Sequence, residues 1–168
     1  TYYDCDGLSW DEWAVAVAHY FAFETLIEEQ FARVLDALDT LGLADDTVVI
    51  RTSDHGECVG AHRQWGKGPM MYDDLYNVPL FVRWPGVVEP GSTSEAFVEL
   101  QDLYPTLCAI GGVDAPANDG RNLRPVFDAA TSDATADVPT DWRTAAFAEY
   151  HGEPETLYTQ RMIRTAQY

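Results

Sequence analysis

Along the early part of the chain apolar residues recur at steps of three and four. Phe23, Ile27, Phe31, Val34, Leu38 and Leu41 fall on one helical face, while Glu24, Glu28, Arg33 and Asp36 occupy others. The segment SWDE ahead of them has the spacing of a capping box, with Ser9 as N-cap and Glu12 reaching back. Gly42, after Leu41, is placed to stop the helix. The period then changes. Thr47 to Ser53 is β-rich and mostly apolar, too short for a helix, and predicts a strand buried on both faces. Helix, short loop and buried strand make half of an α/β unit.

A second apolar run, Val78 to Trp84, predicts another strand, with Pro79 at its start or at a bulge. The turn-rich PGVVEPGSTSE follows it, and Ala96 to Glu99 is expected to add a short strand. Asp102 is then expected to cap a helix through Leu103, Leu107 and Ile110, with Pro105 in its first turn and Gly111-Gly112 closing it. The low-complexity acidic stretch 128–141 reads as a boundary. AAFAEY and QRMIRT beyond it predict two strands joined by HGEPETLYT. The chain thus divides into a main α/β part (1–127), the acidic loop (128–141) and the start of a smaller subdomain (142–168).

Composition narrows the classes open to this fold. The chain has 168 residues, enough for one well-cored domain, and its five Trp, nine Tyr and seven Phe set it apart from disordered sequences. It carries 28 acidic against ten basic residues, a net charge of −18. Such a charge repels phosphates, so nucleic acid and anionic membrane surfaces are not expected partners. Screening by salt relieves the self-repulsion, and an acid-rich, lysine-poor composition favours a halophilic protein over a merely acidic mesophilic one; localisation stays open, with a cytoplasmic, high-salt setting favoured. Cys5, Cys58 and Cys108 show no C-x-x-C spacing and imply neither a disulfide framework nor a zinc knuckle. No apolar run approaches membrane-spanning length.

One stretch stands apart. SDHGECVGAHRQWGKG, Ser53 to Gly68, holds two of the four histidines and the only lysine, every other basic residue being arginine. Asp54 and His55 come at the carboxyl end of the first strand, where open α/β sheets place their ligand sites. Together they offer a hard oxygen and an imidazole nitrogen, suited to a divalent metal such as Mn²⁺ or Zn²⁺. Neighbouring side chains on a strand point to opposite faces, so both reach one ion only if the chain turns here, which Gly56 permits. The plainer alternative is a turn-initiating Asp beside a packed histidine. Lys67, between Gly66 and Gly68, stands where backbone and a compact charge can approach an anion together. A solvated loop lysine is its alternative, and the emptying of lysine from the rest of the chain weighs against it. His62 is a second candidate anion or proton donor, or an ordinary loop histidine. Cys58, in negative surroundings, is expected to be a small packed residue rather than a nucleophile. His151 and Glu153 line a cleft or form an exposed turn, and Arg63, Arg121 and Arg161 are expected to be solvated or salt-bridged.

TVVIRTSDHGECVGAHRQWGKGPMMYDDLYNVPLFVRWPGVVEPGS resembles the C-terminal signature region of the sulfatase family, in the alkaline phosphatase superfamily. RVLDALDTLGLADDT, VELQDLYPTLCAIGGV and FAEYHGEPETLYTQRMIRT agree with its flanks in the same order. The resemblance implies a three-layer α/β sandwich of the alkaline phosphatase and sulfatase type, truncated, with the start of a small antiparallel C-terminal subdomain. It implies hydrolysis of sulfuric esters of arylsulfatase type, on a small sulfated or phosphorylated substrate. It places Asp54 and His55 among the ligands of a divalent metal (Ca, Mn or Zn) and Lys67 on the sulfate oxygens as a catalytic, substrate-binding group.

The departures are also legible. That family's nucleophile is formylglycine, made from the Cys or Ser of C/S-x-P-x-R, and no residue here satisfies the pattern. The family's N-terminal Asp-Asp metal pair has no counterpart either, since Asp45-Asp46 belongs to the helix–strand loop. The chain is therefore expected to be a C-terminal piece, carrying part of the metal site and the anion-binding lysine, and inactive alone. Two further readings stay open: a phosphonate monoester or phosphodiester hydrolase of the same superfamily, which His55 also resembles, and a non-catalytic binding or assembly domain.

Overall fold

The computed structural model describes residues 7–130, 138–152 and 159–167. They fall into two compact units, Thr1–Phe81 and Val82–Tyr168.

The first unit opens with helix α1, Trp10–Thr40. Its capping box forms: Ser9 N–H donates to the Glu12 carboxylate at 2.8 Å, and Glu12 N–H donates to Ser9 Oγ at 3.4 Å. Gly42, at φ +67°, takes the left-handed conformation that a side chain resists. The turn this allows lets Leu43 N–H reach Leu38 O at 2.9 Å and Gly42 N–H reach Asp39 O at 3.1 Å, satisfying the last carbonyls. The helix is where the apolar period puts it, but the covered face is another one. Half-buried positions run Trp13, Val17, Tyr20, Glu24, Phe31, Leu35 and Leu38. Of the expected stripe only Phe31 and Leu38 are among them, while Phe23 and Leu41 stand 68% and 69% exposed. Apolar residues line more than one side of α1, and the side that is covered is chosen by distant partners. Trp65 meets Trp13 at 5.9 Å and Tyr20 at 6.4 Å between ring centroids, and Arg51 lies over Phe31 at 4.8 Å.

A 3₁₀ turn at Ala44–Asp46 leads to strand β1, Val49–Thr52. Its four residues are half-buried rather than closed off on both faces, because Arg51 stays partly open to reach Glu28 across to α1. A single-turn helix α2, Asp73–Tyr76, precedes strand β2, Leu80–Arg83, and Pro79 stands just before its first residue. β1 and β2 form a two-stranded sheet.

In the second unit Ala96–Glu99 is not a strand. Its polar groups bond to side chains instead: Trp142 Nε1 donates to Phe97 O at 2.7 Å, and Glu99 N–H donates to Asp102 at 2.8 Å. A 3₁₀ turn, Leu100–Asp102, runs into helix α3, Leu103–Ile110, which Gly111 and Gly112 close. The Asp102 carboxylate does not cap α3 as expected, because it is committed to Glu99 N–H, Arg121 N–H and the Arg143 guanidinium. Helix α4, Arg124–Ala129, carries Pro125 in its first turn, where its fixed φ is suited. Leu123, Val126, Phe127 and Trp142 are buried around it. Strands β3, Ala145–His151, and β4, Thr159–Thr165, pair antiparallel as expected, with Phe147 opposite Ile163 and Glu149 opposite Arg161. Cys5 and Glu153 lie outside the described residues.

Candidate metal and anion site

β1 delivers Ser53 to Glu57 as a turn tied to its own backbone. Ser53 Oγ donates to His55 O at 2.7 Å, and His55 N–H donates to the Asp54 carboxylate at 3.0 Å. Gly56 N–H then donates to Leu75 O at 2.9 Å. The glycine is needed for space rather than for an unusual φ: a Cβ there would lie 1.9 Å from Asp74 O. Its φ is not positive, so the expected role of conformational freedom is replaced by close backbone approach.

The turn brings the expected donor atoms together. His55 Nε2 is 3.5 Å from Asp54 Oδ2, and Lys67 Nζ is 2.8 Å from the same nitrogen. An ammonium only donates, so Nε2 presents its lone pair and Nδ1 carries the proton, which it donates to Gly56 O at 2.8 Å. A histidine whose far N–H is held by a backbone carbonyl is oriented to use its other nitrogen as a metal ligand. The Asp54 side chain is 84% exposed, leaving its oxygens accessible. The pair offers a divalent ion a carboxylate and an imidazole nitrogen, the nitrogen only once Lys67 Nζ leaves its single lone pair. Among the described residues no group of three or more His, Cys, Asp or Glu side chains gathers to complete such a site.

His62 is engaged elsewhere. Its Nε2 is 3.1 Å from Asp74 Oδ2, and its ring stacks on Tyr72 with centroids 3.6 Å apart. Val59, His62 and Arg63 hold positive φ at 45°, 55° and 57°, a conformation that is costly above all for a β-branched residue such as Val59. Gly60 turns between them because Trp13 crowds it, a Cβ there meeting that ring at 3.2 Å. Cys58 is buried, and burial, with Glu57 and then Asp74 adding to it, pushes its thiol pKa up. It is held as a thiol, in keeping with the packed role expected of it. Arg161 pairs with Glu149 at 2.8 Å, and Arg121 donates to Asp141 O at 3.3 Å. His151 is exposed as the last residue of β3, 3.3 Å from Glu149, in a strand rather than the expected turn.

Two residues escaped the sequence reading. The Glu57 carboxylate accepts the Gly66 backbone N–H, and Trp65 docks on α1. Neither has a signal in local spacing, because each contact joins segments that only the fold brings together.

An exposed carboxylate, an oriented imidazole and an ammonium thus lie together at the carboxyl end of β1, where open α/β sheets place their ligand sites. The sulfatase family model matches residues 8–113. An N-acetylglucosamine-6-O-sulfatase of Bacteroides thetaiotaomicron is 32% identical over 152 residues, covering 89% of this chain and 26% of its own. Arylsulfatase K of Xenopus laevis is 34% identical over 146 residues, covering 84% and 26%. Among solved structures, one in complex with its substrate D-glucosamine-2-N,6-O-disulfate superposes with a TM-score of 0.72 at 33% identity, over 83% of this chain and 28% of that one. A phosphonate monoester hydrolase from Silicibacter pomeroyi gives 0.73 at 34% identity, over 83% and 29%. The chain belongs to the sulfatase family, and its fold is the α/β fold of the alkaline phosphatase and sulfatase type. It spans about a quarter of the length of the curated relatives it matches.

Proposed function

We propose that this chain is part of a sulfuric ester hydrolase, in which Asp54 and His55 supply part of a divalent metal site and Lys67 binds the sulfate oxygens. The observation that carries the reading is the contact of Lys67 Nζ with His55 Nε2 at 2.8 Å, which joins the chain's sole lysine to the candidate ligand pair across twelve residues. A metal held there supplies Lewis-acid stabilisation of an oxygen that gains charge. Lys67 adds a fixed positive charge on the neighbouring oxygens, worth most where it is already in place when charge develops. His55 keeps its proton on Nδ1 through Gly56 O, so that Nε2 is the nitrogen left to meet the metal once Lys67 turns to the sulfate oxygens. The nucleophile, a formylglycine on this reading, comes from outside the 168 residues. The sulfated sugar bound by one structural relative supports a sulfate ester as substrate.

A second reading is supported by the phosphonate monoester hydrolase likeness. Sulfate and phosphate esters present similar tetrahedral anions, and Asp54, His55 and Lys67 serve either. Rates on an aryl sulfate and an aryl phosphodiester, measured with the complete enzyme, separate the two. Preference for the sulfate is expected, and a clear phosphodiester preference would replace the sulfatase reading. Lys67→Ala is expected to lower turnover about 10²- to 10³-fold with the fold intact. Near-normal turnover would remove the lysine from the site.

A further inference from the structure

We infer that Glu57 is a positioning residue for Lys67, a clamp that fixes the lysine against the Asp54–His55 pair; this rests on the function proposed above. Glu57 lies two residues beyond His55 on the turn that leaves β1, and Gly66 immediately precedes Lys67. Its Oε1 accepts the Gly66 N–H, and Val59 N–H lies 3.4 Å from the same oxygen. One carboxylate oxygen thus joins the exit of the ligand-bearing turn to the entry of the lysine-bearing turn.

The excursion between them is closed by its own bonds. Gly60 N–H donates to Gln64 O at 2.8 Å, and Ala61 N–H donates to Cys58 O at 2.7 Å. Trp65 anchors it on Trp13 and Tyr20. Three non-glycine residues in it hold positive φ, so the loop is over-determined by contacts rather than relaxed. Gly66, at φ +85°, reverses the chain so that Lys67 comes back to His55. What sets the height of Lys67 relative to His55 is therefore the Gly66 backbone, and Glu57 is the side chain that holds it. A charge acting on developing charge loses much of its effect with a displacement of an ångström.

The test is a double-mutant cycle in the complete enzyme. Glu57→Ala is expected to lower kcat/KM about 10- to 100-fold alone. On a Lys67→Ala background it should cost less than about threefold, because there is no longer a lysine to misplace. Glu57→Gln keeps an acceptor oxygen and is expected to restore most of the activity. An equal loss in both backgrounds, or no loss in either, overturns the inference while leaving the role of Lys67 standing. Full activity of Lys67→Ala itself overturns the reading of the site and the catalytic meaning of the clamp together. If Glu57→Ala does not fold, Glu57→Asp, one methylene short, is expected to show the same loss and the same cycle. Hydrogen exchange reads the clamp apart from turnover: the Gly66 amide should exchange about tenfold faster in Glu57→Asp than in Glu57→Gln. Equal protection in the two overturns the clamp.

Discussion

Two clusters of charge in this molecule are built on opposite terms. At the mouth of β1, Asp54, His55 and Lys67 are part-exposed, touch one another, and lean on backbone atoms for their orientation. In the second unit, Asp102 is 0% exposed, and its two oxygens accept from Glu99 N–H, Arg121 N–H and both Arg143 terminal nitrogens, at 2.6–2.8 Å. Glu99 adds a second carboxylate to Arg143 at 3.1 Å and also accepts the Phe147 N–H at 2.8 Å. Thr106 extends the knot, donating to Asp102 O and accepting from Leu123 N–H. The buried knot uses up its bonding capacity and so ties 99–106, 121–123 and 143–147 into one structure. The trio stays open to solvent, with the Asp54 carboxylate 84% exposed, so a ligand can reach it. Burial and saturation mark the first cluster as architecture, and the openness of the second is what the proposed site requires.

Breaking the knot should have the largest effect. Arg143→Ala leaves a fully buried carboxylate without its cation, and a loss of about 3–5 kcal/mol in urea unfolding is expected. A loss below about 1 kcal/mol would erase the contrast. Lys67→Ala is the mirror case: by the same measurement it should change stability little while abolishing most turnover. Next in size is the α1 cap. Ser9→Ala should cost about 1 kcal/mol or less, its backbone bond being long at 3.4 Å. This term carries a pH signature. The Ser9 hydroxyl, and then its backbone N–H, hold the Glu12 carboxyl below its ordinary range. A lowered folded-state pKa stabilises fully above the ordinary value, and the gain is lost as pH falls through the lowered one. The urea midpoints of wild type and Ser9→Ala should therefore converge in acid, and a gap independent of pH would remove Glu12 from the cap. The smallest effect is expected at the exposed Glu149–Arg161 pair, where Glu149→Gln should leave the urea midpoint unchanged within error.

What could be read from sequence alone divides along the same line of locality. The ends of α1 were legible because Ser9, Glu12 and Gly42 act within a few residues of themselves. The β3–β4 pair showed through alternation and β-rich composition in AAFAEY and QRMIRT. Asp54, His55 and Lys67 were legible as a set through family resemblance and through the scarcity of lysine. The covered face of α1 was not, because Trp65 and Arg51 choose it from outside the helix. Asp102 was read as a cap because an Asp before an apolar helix usually is one. Besides Glu99 N–H, its partners sit 19 and 41 residues away, beyond any local pattern. The extended run Ala96–Glu99 misled for a related reason: its composition suits a strand, and side chains took the bonds a neighbouring strand would have made. Glu57 and Trp65 left no local trace at all.

The closure of α1 at both ends has a consequence for the order of events during synthesis. Its 31 residues form a rod of roughly 46 Å whose start and stop signals all lie between Ser9 and Leu43. A helix of this length lies well beyond the span at which isolated helices are marginal, and it elongates on a nanosecond-per-residue scale, far faster than translation. The groups that start and stop α1 are therefore all in hand once Leu43 has been made, before β1 has emerged. The β3–β4 hairpin has to wait until residue 159 supplies the partner of His151. Phe21, Phe23, Leu26 and Ile27 stand exposed on α1 in the folded first unit as well, so that face of the helix is open from its formation onward.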